Sequence, residues 1–177
     1  MEKKAMLLAS IIGVVVGVVL VAGFNMTLSY TNTDDFCLSC HNHDIPYQEL
    51  KATVHWQNKA GIEAGCADCH VPHDFIPKMM RKVAAAKEVY GHFTGIIDTD
   101  EKYLAHRDAM KAREIARLKA NDSAECRNCH QVGHMDFDSQ SALARKQHKK
   151  LAAGSTCIDC HQGIAHSPKT EEDDFDF

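Results

Sequence analysis

The chain has 177 residues, room for one domain with appendages, and its formal charge of −4 comes from segment 169–177, where five acids face one lysine. The remainder is neutral and lacks the broad basic surface that phosphate backbones require, which argues against a nucleic-acid partner. Aromatic residues make up only 7% of the chain, so its interior needs apolar bulk from a source other than large side chains.

The first predicted element follows Lys3 and Lys4: an apolar run from Ala5 to Phe24, broken only by Ser10 and glycines. At ~1.5 Å per residue such a helix crosses ~30 Å of hydrocarbon. A cleaved leader has a shorter apolar stretch of ~7–15 residues and ends in a small-residue cleavage site. The run is longer and has no clear Ala-x-Ala, so residues 1–28 are expected to be a retained anchor. The lysines before the run place the N-terminus in the cytoplasm and residues 29–168 outside it, which in a bacterium is the periplasmic side of the inner membrane. Gly13 and Gly17 form a small-xxx-small pair able to bring two anchors together, although glycine is common in membrane helices generally.

The eight cysteines fall into four Cys-x-x-Cys pairs, each followed at once by histidine: Cys37, Cys40, His41; Cys66, Cys69, His70; Cys126, Cys129, His130; Cys157, Cys160, His161. An even count in a short exported chain often signals disulfides, and paired Cys-x-x-Cys often signals zinc. Neither demands a histidine after every second cysteine. Two cysteines one helical turn apart can both bond the vinyl groups of a porphyrin, while the adjacent histidine reaches the iron. Four covalently bound haem c groups are therefore expected, with His41, His70, His130 and His161 as proximal ligands.

Eight histidines remain. The order motif, distant histidine, motif, nearby histidine occurs twice, as His41, His55, His70, His73 and as His130, His148, His161, His166. Two dihaem half-repeats, about 34–97 and 122–168, follow from this order, with His55, His73, His148 and His166 as distal ligands. His73 lies three residues after His70 and cannot easily reach the opposite face of the same iron, so it is expected to serve another haem. Spacing alone does not say which distal histidine meets which iron.

The intervals between motifs read as helix or loop, without an alternating β-branched run. Helices are predicted at Ile45–Lys59 and Ser139–Ala152, delivering His55 and His148. A third is predicted over Pro77–His92, with proline at its first position, and a fourth over Thr99–Ala120, with Asp98 and Glu101 in capping positions. In the last, Glu114 with Arg117 and Lys111 with Glu114 read as ordinary solvated pairs. Segment 169–177 reads as an acidic disordered tail. The fold class is mostly α: one N-terminal transmembrane helix and a compact tetrahaem cytochrome c domain.

With these motifs in place, the chain resembles the NapC/NirT family of membrane-anchored tetrahaem quinol dehydrogenases. The resemblance rests also on Thr53-Val54-His55, Cys69-His70-Val71-Pro72, 77–90, Ile97-Asp98-Thr99, Met135-Asp136-Phe137 and 156–166. It implies oxidation of menaquinol or ubiquinol from the membrane pool and electron delivery through four haems to a periplasmic reductase of nitrate, nitrite or N- or S-oxide type. It also implies association as a homo-oligomer or with that reductase, and a quinol site near the first haem at Lys82 and Glu88. A carboxylate can take a proton from quinol and an ammonium can hold its oxygen, yet both residues also suit the polar face of an amphipathic helix. Where many relatives have methionine two residues after the first motif, this chain has His43, a further candidate ligand for the first haem. A pure relay fed by a protein partner, without its own quinol site, is the alternative.

Overall fold

The computed structural model describes residues 2–39 and 44–166; Cys40, His41, His43 and the acidic segment 169–177 fall outside them. Among the described residues the regular structure is entirely helical.

Helix α1, Glu2–Tyr30, is one continuous 29-residue helix with none of its apolar side chains buried, as a helix facing lipid requires. Helices α2 (Asp34–Leu38), α3 (Asp44–Lys51) and α4 (Cys66–His70) follow. The helix predicted through Lys59 stops at Lys51, where the Thr53 amide and hydroxyl both donate to the Leu50 carbonyl and turn the chain. His55 therefore sits in a turn after the helix rather than on it.

Helix α5 runs Phe75–Phe93, with Asp74 at its N-cap, so Pro77 lies third in the helix rather than first. It remains in the first turn, where its missing N–H leaves no bond unmade. Gly95, at φ +73°, closes the turn after α5, and the Ile96 and Ile97 amides return to the Gly91 carbonyl. Ile97 packs where a side chain on Gly91 would sit, 3.4 Å away. Helix α6 spans Asp100–Ala120, capped by the Thr99 hydroxyl accepting from the Lys102 amide; Asp98 instead binds the Lys102 ammonium at 2.7 Å.

After α6, Asp122 and Ser123 both adopt left-handed backbone, at φ 56° and 52°. Two such non-glycine residues in a row are costly and persist only when their surroundings dictate them. Ser123 is fully buried, its amide donates to the Leu118 carbonyl and its hydroxyl accepts from the Ile158 amide. This corner sets the direction of α7, Ala124–Cys129. Helix α8, Ala142–His148, continues as a 3-10 turn over Lys149–Ala153, and α9 covers Cys157–Cys160.

Large apolar side chains are scarcely covered: among the described residues only Leu50, Ile97 and Ile158 are buried. So small a core cannot by itself offset the backbone entropy of a domain of this length.

Candidate functional site

The four motif segments join in chain order. The Asp34 carboxylate, at the start of α2, accepts from the Cys66 amide at 2.8 Å and so caps α4 from the neighbouring motif. A side chain on Gly65 would meet that carboxylate at 2.9 Å. The Cys37 and Cys66 thiols share a hydrogen bond, which holds Cys37 down to about 7 and pushes Cys66 up. Helix α4 packs on α7, where burial and then the nearby Cys126 push the Cys69 thiol up to about 11. The bond from Ile158 to Ser123 ties α9 to the entrance of α7, and α9 also packs on α6. Three motif junctions result: first to second, second to third, third to fourth.

Among the described residues, histidine rings meet in three pairs. His70 and His166 have ring centroids 5.9 Å apart at 30°, His148 and His161 6.1 Å at 31°, and His55 and His130 6.2 Å at 84°. A metal lies about 2 Å from a ligating imidazole nitrogen and the ring centroid about 1 Å beyond, so imidazoles on opposite faces of one metal are about 6 Å apart. All three pairs have that spacing.

The second ring nitrogens fit the same role. His55 Nδ1 lies 3.3 Å from the Ile164 carbonyl, His166 Nδ1 3.0 Å from the Pro46 carbonyl, His148 Nδ1 2.7 Å from Gln140 Oε1 and His70 Nδ1 3.0 Å from Glu114 Oε1. Each partner is an oxygen acceptor, so Nδ1 is the donor and Nε2 is the nitrogen left to face a metal, the arrangement a metal-ligating histidine needs. Burial, and then His70 beside it, push the His166 imidazole below its ordinary range, favouring the neutral form that ligates. His106 shows why such a bond alone is no signature: its Nδ1 meets the Lys102 carbonyl of its own helix at 2.8 Å, on an exposed face.

The half-repeat predicts His55, His73, His148 and His166 as partners, and the structure places three of these opposite a motif histidine. Two of the three cross between halves, His55 to the third motif and His166 to the second. His73 is exposed and has no imidazole opposite it among the described residues. It lines a cavity of about 480 Å³ together with Asn32, Asp68, Val71 and Lys78.

One expectation is corrected. Glu114 and Arg117 are not a solvated pair: the guanidinium donates to Glu114 at 2.7 and 3.0 Å, to Glu125 at 2.5 Å and to the Cys69 carbonyl at 3.1 Å. The Glu125 side chain is 1% exposed and also accepts from Asn121 at 2.8 Å. Burial would raise the Glu114 carboxyl, but hydrogen bonds from His70 and Arg117 outweigh it and hold it at about 2. The i,i+3 spacing was legible; that this face of α6 meets α4 and α7 was not.

Near the membrane end of the domain, Lys82 Nζ donates to the Thr31 hydroxyl at 2.8 Å and carbonyl at 3.2 Å, one residue past α1. Burial pushes its ammonium below the usual range, against the pull of nearby Cys37. Phe75 at the start of α5 meets Phe24 edge-on at 6.4 Å. Glu88 is half exposed and 3.5 Å from Arg81, turned roughly 120° around α5 from Lys82. The two predicted quinol residues are thus on one helix but not brought together. Asn32 went unnoticed in the sequence: its Oδ1 is buried without a hydrogen-bond donor among the described residues.

A lipid-length helix leading into a small-cored helical domain, with histidine pairs at metal-bridging distance beside cysteine-bearing helices, defines a membrane-anchored c-type cytochrome. Comparison narrows the class. The chain matches the model of the NapC/NirT cytochrome c family, N-terminal region, over residues 1–171. It is 53% identical over 157 residues to the cytochrome c-type protein NapC of Haemophilus influenzae, covering 88% of this chain and 78% of that one. It is 50% identical over 169 residues to the denitrification system component NirT of Stutzerimonas stutzeri, covering 93% and 84%. A putative tetraheme cytochrome c of Allochromatium vinosum is 43% identical over 173 residues, covering 97% and 94%. The chain belongs to the NapC/NirT cytochrome c family: it is a membrane-anchored tetrahaem electron-transfer cytochrome. No solved structure matches it.

Proposed function

We propose that the protein oxidises quinol at the outer face of the inner membrane and passes the electrons to a periplasmic terminal reductase, with its N-terminus in the cytoplasm. Haem c is attached at Cys37 and Cys40, Cys66 and Cys69, Cys126 and Cys129, and Cys157 and Cys160. The irons would be held by His70 with His166, by His130 with His55 and by His161 with His148, and at the first haem either His41 or His43 would be the ligand beside the motif. His73, unmatched at these three irons, is left as a candidate for the first. When bound, the haems supply one-electron carriers between a two-electron donor and the reductase.

The observation that carries quinol oxidation is the place of Lys82. Its ammonium is partly desolvated, bound to the residue that follows α1 and close to Cys37 of the first motif, which supports a role at the membrane end of the haem chain. Lys82 holds a quinol oxygen, and the cavity lined by Asn32, Val71 and Lys78, next to Thr31 in the chain and one turn before Lys82 on α5, receives the ring. Quinol becomes quinone, releasing two electrons and two protons outside. Glu88 is the proposed proton acceptor on α5 and must leave Arg81 to serve.

The test is anaerobic mixing of the detergent-purified holoprotein with menaquinol and ubiquinol analogues, following the reduced-cytochrome bands. Rapid haem reduction is expected, slowed tenfold or more in Lys82→Ala while reduction by dithionite is unchanged. No reduction by either quinol, with Lys82→Ala indistinguishable from the parent, would leave a relay fed by a protein partner.

A further inference from the structure

The histidines of the three ring pairs are held by unequal partners. His55 and His166 donate to backbone carbonyls and His148 to a side-chain amide, all neutral acceptors. Among the described residues, His70 alone donates to a carboxylate, Glu114, at 3.0 Å. That carboxylate cannot swing away, because Arg117 grips it twice and is itself pinned by Glu125 and the Cys69 carbonyl. The cluster of two carboxylates and one guanidinium carries one net negative charge, with Glu125 almost wholly out of water.

A carboxylate accepting the Nδ1 proton of a ligating imidazole makes that ligand more basic, and a neighbouring negative charge favours the more positively charged metal. Both effects stabilise ferric over ferrous iron. Neither is available at the pairs held by neutral acceptors. On the reading that His70 and His166 share one iron, we infer that Glu114 is a positioning residue that lowers the reduction potential of the second-motif haem, making it a redox step unlike those of the third and fourth motifs. The carboxylate makes resting there unfavourable for an electron, so that charge entering from the first motif passes on to the third rather than accumulating on the second.

The experiment is a redox titration of the full-length, detergent-purified holoprotein, each low-spin signal followed by electron paramagnetic resonance. In Glu114→Gln, with four haems per chain retained, one midpoint is expected to move to a more positive potential and its signal to change shape, the others holding; Glu114→Asp should restore most of the shift. Four haems with every midpoint unmoved would overturn the inference. Should Glu114→Gln lose haem, the reciprocal variant Gln140→Glu decides, since it puts a carboxylate where His148 now meets an amide at 2.7 Å. A different haem should then move to a more negative potential, and no movement would overturn the idea equally. His166→Met separates the premises: if it leaves every low-spin signal intact, the pairing itself is wrong and the inference falls with it. If it alters one signal while Glu114→Gln moves nothing, only the role of Glu114 fails.

Discussion

The membrane-side region, made of α1, α2 and α5, and the outer region, from α6 to α9, hold their motifs by different means. On the membrane side the contacts are ring edges, Phe24 on Phe75 and Tyr30 on Phe36, polar bonds such as Lys82 to Thr31, and a loose ion pair, Arg81 with Glu88 at 3.5 Å. In the outer region they are ion pairs: half-buried for Arg117 with Glu114 and Glu125 and for Arg107 with Glu49 at 2.7 Å, exposed for Lys119 with Asp159 at 2.8 Å. A surface facing lipid gains little from fixed charge, whereas motif helices that must keep their irons in register gain from directional bonds. The contrast teaches that this domain has two frames, a polar one of its own and an apolar one supplied by cofactor.

The largest expected effect comes from removing the second frame. Produced without haem attachment, the chain has only Leu50, Ile97 and Ile158 as buried large apolar groups among its described residues, and residues 34–166 are expected not to fold. Limited proteolysis should then digest that region quickly while the membrane-embedded α1 survives; a protected, cooperatively melting haem-free domain would contradict the idea.

Next comes the polar frame. Arg117→Ala leaves Glu125 buried beside Glu114 with no cation between them, and should cost about 3–5 kcal/mol in urea unfolding of the holoprotein. Lys82→Ala, which removes a single membrane-side polar anchor, should cost about 1 kcal/mol or less by the same measurement, despite its expected effect on quinol turnover. Equal costs would erase the distinction between the two regions. The smallest effect belongs to Lys102→Ala: its pair with Asp98 is exposed and screened by water, so the urea midpoint should stay where it is in the parent.

Much of this was legible in the chain itself. The anchor, the four motifs and helices α5 and α6 follow from local hydropathy, spacing and caps, although α5 begins two residues before Pro77 and Thr99 rather than Asp98 caps α6. The half-repeat picked out His55, His148 and His166 by their order in the chain, which is also local information.

Partner choice is not local. His55 opposite His130 and His166 opposite His70 depend on how α4 lies against α7 and on where the segment after α9 returns to α3, matters of three-dimensional path that repeat spacing does not encode. The separation of Lys82 from Glu88 likewise depends on the turn of one helix, and the conversion of Glu114 and Arg117 from a surface pair into an internal hub depends on which face of α6 is covered. Sequence alone determined which groups could bind iron, because ligand chemistry resides in side chains. Tertiary structure decided which of them meet and in what electrostatic company, because those are distances between segments far apart in the chain.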